Sequence, residues 1–277
     1  MAAKQSEDTA MRAIPILTYH SVSENPPGWI APYTVTPATF ARHLDLMIES
    51  GRDAMTISQL CAALRGLTPL PERPVAITFD DGFADFESAA RVLADRRLPA
   101  TLYVTTGALR GGGSPAADMA IPPAPMLDWS QLPELAELGV EIGGHSHTHP
   151  ALDIMRPQAA ADEIRRCKDL LEEKLAAPVP SFAYPHGFYT ARLRRAVEAA
   201  GYQSACAVRN ALSSESDHVF SLARLTVLSH HSDEQMRDWL AGRGARVAPF
   251  RQPWRTAVWR CYRRVRGPGS RRGVIDV

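Results

Sequence analysis

Only four of the 277 residues are cysteine, and Cys61, Cys167, Cys206 and Cys261 are scattered with no C-x-x-C spacing. That argues against a zinc ribbon, a redox dithiol or a disulfide framework, and leaves four separate reduced thiols. Net charge is nearly absent. The 31 basic side chains stand against 30 acidic ones, a balance of +1, so no bulk attraction to nucleic acid or to an acidic polymer is expected. No apolar run approaches the ~20 residues that a membrane-spanning helix needs. The polar opening from Met1 to Ala10 lacks the apolar centre of a signal peptide, and a cytoplasmic location is expected. The chain also lacks a repeat of fixed period and a long linker. With 45% hydrophobic and 22% charged residues, it can bury a full core, and one domain is the simplest organisation.

What is present is an alternation of short apolar runs with helical patterns. Strands are expected over 14–19, 75–79, 100–104, 140–144, 182–184, 203–208 and 223–228. Helices are expected over 39–50, 86–95, 129–138, 162–175 and 193–200; in 162–175, Ile164, Cys167, Leu171 and Leu175 share one face. The Gly-, Pro- and Ala-rich stretch 110–127 reads as a loop. The alternation predicts an α/β fold with a mainly parallel sheet, in which residues that carry chemistry gather at the carboxyl ends of strands.

Two polar motifs stand at such ends. Asp80 and Asp81 follow an apolar run and precede Gly82. Two adjacent carboxylates need not share a face, so one can bind a cation while the other accepts a proton. The bland alternative is a solvated turn before a helix. The second motif places His145, His147 and His149 in five residues after Gly143 and Gly144. Imidazoles four apart can converge on one ion if the segment makes a helical turn. Together the motifs supply an Asp-His-His set with coordination positions left open, which suits hydrolysis of a carbonyl compound better than a closed structural site.

Thr78 to Gly82 and His145-Ser-x-x-His149 resemble the two diagnostic motifs of the polysaccharide deacetylases, the carbohydrate esterases with a NodB-homology domain, and in the same order. Phe182 to Gly187 is similar to that family's third motif. The resemblance implies a distorted (β/α) barrel of about seven strands. It implies Asp80 as general base and Asp81, His145 and His149 as metal ligands, with His147 not a ligand. It also implies an oxyanion-binding turn at Tyr184, Pro185 and His186, using the His186 N–H. The cofactor expected is a divalent metal, zinc by default, with cobalt, nickel or manganese acceptable to the same donors. The expected domains are a polar segment 1–13, one catalytic domain 14–240 with its family core from about 74, and a basic tail 241–277.

The chain departs from the family pattern in two places. Where many members carry an arginine that orients the base, this chain has Ala183, which leaves open how Asp80 is oriented. The usual D-x-x-D-W motif is also missing; Asp128-Trp129 lies in the wrong order and reads as a helix cap before a core tryptophan. The general acid therefore has two candidates. His20 ends a run similar to the first strand of the poly-N-acetylglucosamine deacetylase branch, and His230 lies in a Leu-x-His resembling the family's last motif. His20 is favoured, because a strand-end histidine suits proton transfer.

The last 37 residues differ in composition from the rest. Residues 241–277 hold ten arginines and one acid, Asp276. Trp254, Ala257, Val258, Cys261, Tyr262 and Val265 form an apolar stripe that the arginines avoid and that Trp259 lies off, the pattern of a basic amphipathic helix. It either packs on the barrel or touches an anionic membrane where lipid-linked glycans are met. The expected substrate is an acetylated glycan or lipid-linked glycan, with no nucleic acid partner. Removal of N-acetyl groups from amino sugars is the leading reading. The rivals are an O-acetyl glycan esterase, a small-amide hydrolase on the same site, and an inactive glycan-binding protein. Oligomeric state is not readable.

Overall fold

A computed structural model describes residues 12–112, 118–250, 259 and 262. The expected N-terminal segment and most of the expected C-terminal helix lie outside the described residues, as do 113–117 of the expected loop. Seven strands form the framework: β1 (Ile16–Tyr19), β2 (Pro74–Phe79), β3 (Ala100–Val104), β4 (Val140–Gly144), β5 (Ser181–Ala183), β6 (Ser204–Val208) and β7 (Leu222–Thr226). They pair in parallel, each with the next in sequence, from Ile16 beside Ala76 to Cys206 beside Leu222. Leu225 and Thr226 of β7 then pair with Leu17 and Thr18 of β1 and close the barrel. This is the seven-stranded (β/α) barrel that the motifs implied.

Around it lie α1 (Pro37–Glu49), α2 (Ile57–Leu64), α3 (Phe86–Asp95), α4 (Gln131–Glu137), α5 (Pro157–Leu175), α6 (Ala191–Ala199) and α7 (Asp233–Leu240). Inside the barrel, Ile16, Ala76, Tyr103, Ala183, Cys206 and Leu222 come from six different strands and pack in one cluster with Ile57 and Leu60 of α2. The N–H groups of Ile57 and Ser58 reach Thr101 on β3 and Glu141 on β4, so α2 covers the amino end of the barrel. The carboxyl end is left for chemistry. Between barrel and helices, Tyr19, Phe40, Phe79 and Phe86 pack with ring centroids 4.7–5.6 Å apart, Tyr19 stacked on Phe79 and the other pairs edge to face.

Several boundaries differ from the pattern in the sequence, each for a local reason. The single strand expected over 14–19 is split at Pro15. Ala13–Ile14 pairs antiparallel with Ser213–Ser214, whereas Pro15, which has no N–H, contributes only its carbonyl, to Ala76. α1 and α5 begin earlier than expected because Pro37 and Pro157 sit in their first turns, where proline is accommodated. α1 is further capped by Thr36, whose side chain accepts from Thr39 N–H. The short strand Asp53–Met55, α2 and α7 were not expected. Among the described residues, no helix is long and apolar enough to cross a membrane.

Candidate active site

β2 runs directly into the paired carboxylates. Asp80 N–H still donates to the Tyr19 carbonyl of β1 at 3.0 Å, making it the last rung of the ladder. Asp81 then adopts φ 77° and Gly82 φ 91°. This backbone region costs a non-glycine residue about 1–2 kcal/mol, and here it turns two consecutive carboxylates to separate partners.

β4 supplies the histidines. A Cβ on Gly143 would stand 2.5 Å from the Tyr103 ring, so glycine is what lets β4 lie this close to β3. His145 Nδ1–H donates to the Ala183 carbonyl at 2.8 Å, which leaves the Nε2 lone pair facing the carboxylates. The following residues do not make the helical turn that would let imidazoles four apart converge. Ser146 (φ 65°) and His149 (φ 60°) are left-handed instead, and this curl brings His149 back to Asp81. Glu163 of α5 fastens the curl: its carboxylate accepts from the N–H groups of His147 and Thr148 at 2.9 and 2.8 Å and from the Thr148 hydroxyl.

Asp81, His145 and His149 thus meet, all buried, with one ligand atom from each within 4.8 Å of the others. Asp81 Oδ1 lies 3.6 Å from His145 Nε2 and 3.2 Å from His149 Nε2 but makes no aligned hydrogen bond with either. Donors bound ~2.1 Å from one ion at tetrahedral angles stand about 3.4 Å apart, so the set fits a divalent metal. Burial opposes the Asp81 charge, but His149, His20 and His145 outweigh it and hold the carboxyl well below its usual range. Burial lowers the His145 pKa to about 4 against the pull of Asp80, so the ring is neutral, as a ligand must be.

Asp80 has a different partner, one that sequence reading missed. Arg224, within β7 and fully buried, grips it with both forks: Nη1 to Oδ1 and Nη2 to Oδ2, each at 2.7 Å. Nη1 also donates to the Thr78 hydroxyl at 3.1 Å. Burial alone would raise the Asp80 pKa, but the Arg224 charge and hydrogen bonds, with His145, bring it below the usual carboxylate range. The orienting arginine absent at Ala183 is therefore supplied from another strand.

The remaining candidates separate clearly. His20, at the end of β1, lines the same cleft as Asp80, Asp81, His145, His149, His186, Gly187 and Val208. Its Nδ1 is buried without a hydrogen-bond partner among the described residues, and burial lowers its pKa against the opposing pull of Asp81 and Asp80. Asp85 steadies this position by accepting from the Ser21 hydroxyl and Val22 N–H. His230 is exposed beside His231 and does not line the cleft. His147 bonds Thr106 through Nδ1, outside the ligand set. In the turn Pro185–Gly187, His186 takes φ 57° and its ring meets His149 at 4.7 Å. Gly187 packs on the Val208 backbone, so closely that a Cβ added to it would lie 2.7 Å from the Val208 Cα. Tyr184 and Pro185 are buried behind the turn, the Tyr184 hydroxyl donating to the Phe220 carbonyl at 3.0 Å; they hold the turn and do not line the cleft.

Known proteins share this architecture. Residues 68–205 match the family model of polysaccharide deacetylases. The putative polysaccharide deacetylase YxkH of Bacillus subtilis (strain 168) is 26% identical over 215 residues, 77% of this chain and 71% of that protein. The Streptococcus pyogenes deacetylase PplD, solved in complex with acetate, superposes with a TM-score of 0.72 at 26% identity, over 82% of this chain and 97% of that one. IcaB from Ammonifex degensii shares the fold, with a TM-score of 0.67 at 21% identity over 83% and 96% of the two chains. Through residues 68–205, set in this barrel and carrying this cleft, the chain belongs to the polysaccharide deacetylase family.

Proposed function

We propose that the protein hydrolyses N-acetyl groups of amino sugars in a polysaccharide or glycan precursor. The observation that carries this reading is Asp80: a buried carboxylate outside the ligand set, held by Arg224 and 3.8 Å from His145 Nε2. A protein that only bound glycans would have no use for this second buried charge, which counts against the inactive-binder reading.

Asp81, His145 and His149 would hold a divalent ion, zinc by default, which would supply Lewis acidity and a place for water. The chain's own groups do the rest. Asp80, kept ionised and fixed in orientation by Arg224, accepts the proton of the attacking water. The N–H of His186, in its left-handed turn, donates to the oxyanion that develops on the acetyl carbonyl. His20 protonates the departing nitrogen. Acetate and a free amine result, a product that agrees with PplD having been solved with acetate. O-acetyl esters and small amides pass through the same tetrahedral chemistry.

The test is acetate release from N-acetylglucosamine oligomers and O-acetylated xylan by metal-reconstituted protein. Asp80→Asn is expected to abolish release. His20→Ala is expected to lower it by roughly 10²–10⁴-fold, the usual worth of a general acid, with metal content unchanged. No release from either substrate by fully loaded protein would sink the proposal. Release from xylan alone would favour the esterase, and near-normal turnover by His20→Ala would move the acid elsewhere.

A further inference from the structure

Side-chain parity along the barrel strands decides what faces the cleft. Ile16, Ala76, Ala183, Cys206 and Leu222 point into the barrel and pack in one cluster. Side chains of a strand alternate between faces, so residues two further on point inward again, one layer nearer the carboxyl mouth. Those residues are Thr18, Thr78, Pro185, Val208 and Arg224. The contacts agree. The Thr78 hydroxyl lies 3.2 Å from that of Thr18 and accepts from Arg224, and Val208 is the register partner of Arg224 across β6 and β7. Val208 therefore projects into the cleft. Of the eight described residues that line it, seven are carboxylates, histidines or glycine, and Val208 brings the one hydrocarbon side chain.

The strand beneath that side chain has little freedom to shift. Gly187 comes so close that a Cβ added to it would lie 2.4 Å from the Val208 nitrogen, and the ladder ties Val208 to Arg224. The side chain itself thus sets the room that remains, about 20 Å³, space for one group the size of a water. We infer that Val208 is the wall against which the methyl of the scissile acetyl group rests, and that it limits the acyl group to two carbons. This rests on the hydrolytic reading above and adds acyl selectivity to it. The acyl oxygen is surrounded by polar groups that can answer it. The methyl is placed with least cost against apolar surface, and the cleft offers that surface at Val208. A third carbon would need the space that the Val208 side chain fills. One methylene more or less in such a pocket is worth roughly 10–200-fold in kcat/KM.

The experiment compares N-acetyl-, N-propionyl- and N-butyrylglucosamine oligomers as substrates of the metal-reconstituted protein and of full-length Val208→Ala and Val208→Ile. The unmodified protein is expected to prefer acetyl over propionyl by about tenfold or more in kcat/KM. Val208→Ala should close that gap and Val208→Ile should widen it. The two changes have opposite signs, so one of them decides the matter if the other folds poorly. A readout free of turnover runs beside it: calorimetric binding of acetate, propionate and butyrate to the same three metal-loaded proteins, with the same order and the same shifts expected. Loss of turnover on every oligomer with the carboxylate order intact would overturn the hydrolytic reading and uphold the acyl wall. Acyl preferences equal in all three proteins, with hydrolysis intact, would overturn the wall alone.

Discussion

Arg224 and Asp80 are almost wholly removed from water, and either would be costly alone. Losing one member of such a buried pair typically costs about 3–5 kcal/mol, because the other charge is stranded. Arg224→Met is therefore expected to lower unfolding free energy in urea by that order and to suppress acetate release. Arg224→Met/Asp80→Asn should recover much of the stability, since the stranded charge is gone, while remaining inactive. If the double variant were no more stable than the single one, the pair would not be the source of the loss. The residues that meet in the candidate metal group were legible in the sequence because each motif is short and contiguous. Arg224 was not, because its partner lies 144 residues away and its strand reads as ordinary. The overlooked signal was an arginine inside Leu222–Thr226, since a charge in a buried strand requires a counter-charge.

At the scale of elements, the loop that carries His145 and His149 owes its shape to α5. Glu163 satisfies two loop N–H groups and one hydroxyl at once, and it touches none of the ligand side chains through these bonds. Glu163→Ala is expected to weaken metal binding about 10–100-fold, as loss of a supporting contact around a metal site commonly does, with the circular dichroism of the barrel unchanged. A competition titration against a chelator measures it; unchanged affinity would mean that Ser146 and His149 hold the curl unaided. This role was invisible beforehand, because Glu163 looks like any polar residue on an amphipathic helix. Helix α2 escaped notice for the opposite reason. Half of its eight residues are buried (Ile57, Leu60, Cys61 and Ala63), so it shows too short and too apolar a run for a one-sided pattern to emerge.

Over the whole molecule, the alternating pattern predicted a parallel α/β sheet, but its closure could not be read from periodicity. Leu17 meets Leu225 across some two hundred residues, and no local pattern records such a pairing; only the family resemblance implied a barrel. Closure has a measurable consequence. Cys61 on α2, Cys167 on α5 and Cys206 on β6 are all buried, and burial pushes their thiols up to about 12, 12 and 11. With Cys261→Ser removing the fourth thiol, a disulfide reagent at mildly alkaline pH should label none of the three in the folded protein. As denaturant is raised, all three should become reactive over one transition. Stepwise labelling would show that the barrel opens in parts.

The seam between the first and last strands matters beyond stability. A fragment trimmed to residues 68–205 would keep Asp81, His145 and His149, the group that could hold a metal ion among the described residues. It would lack His20 on one flank and Arg224 on the other. On the proposed hydrolytic reading, such a remnant could at best trap a cation; the groups that would turn it on a substrate come together only when residue 224, late in synthesis, pairs beside the first barrel strand.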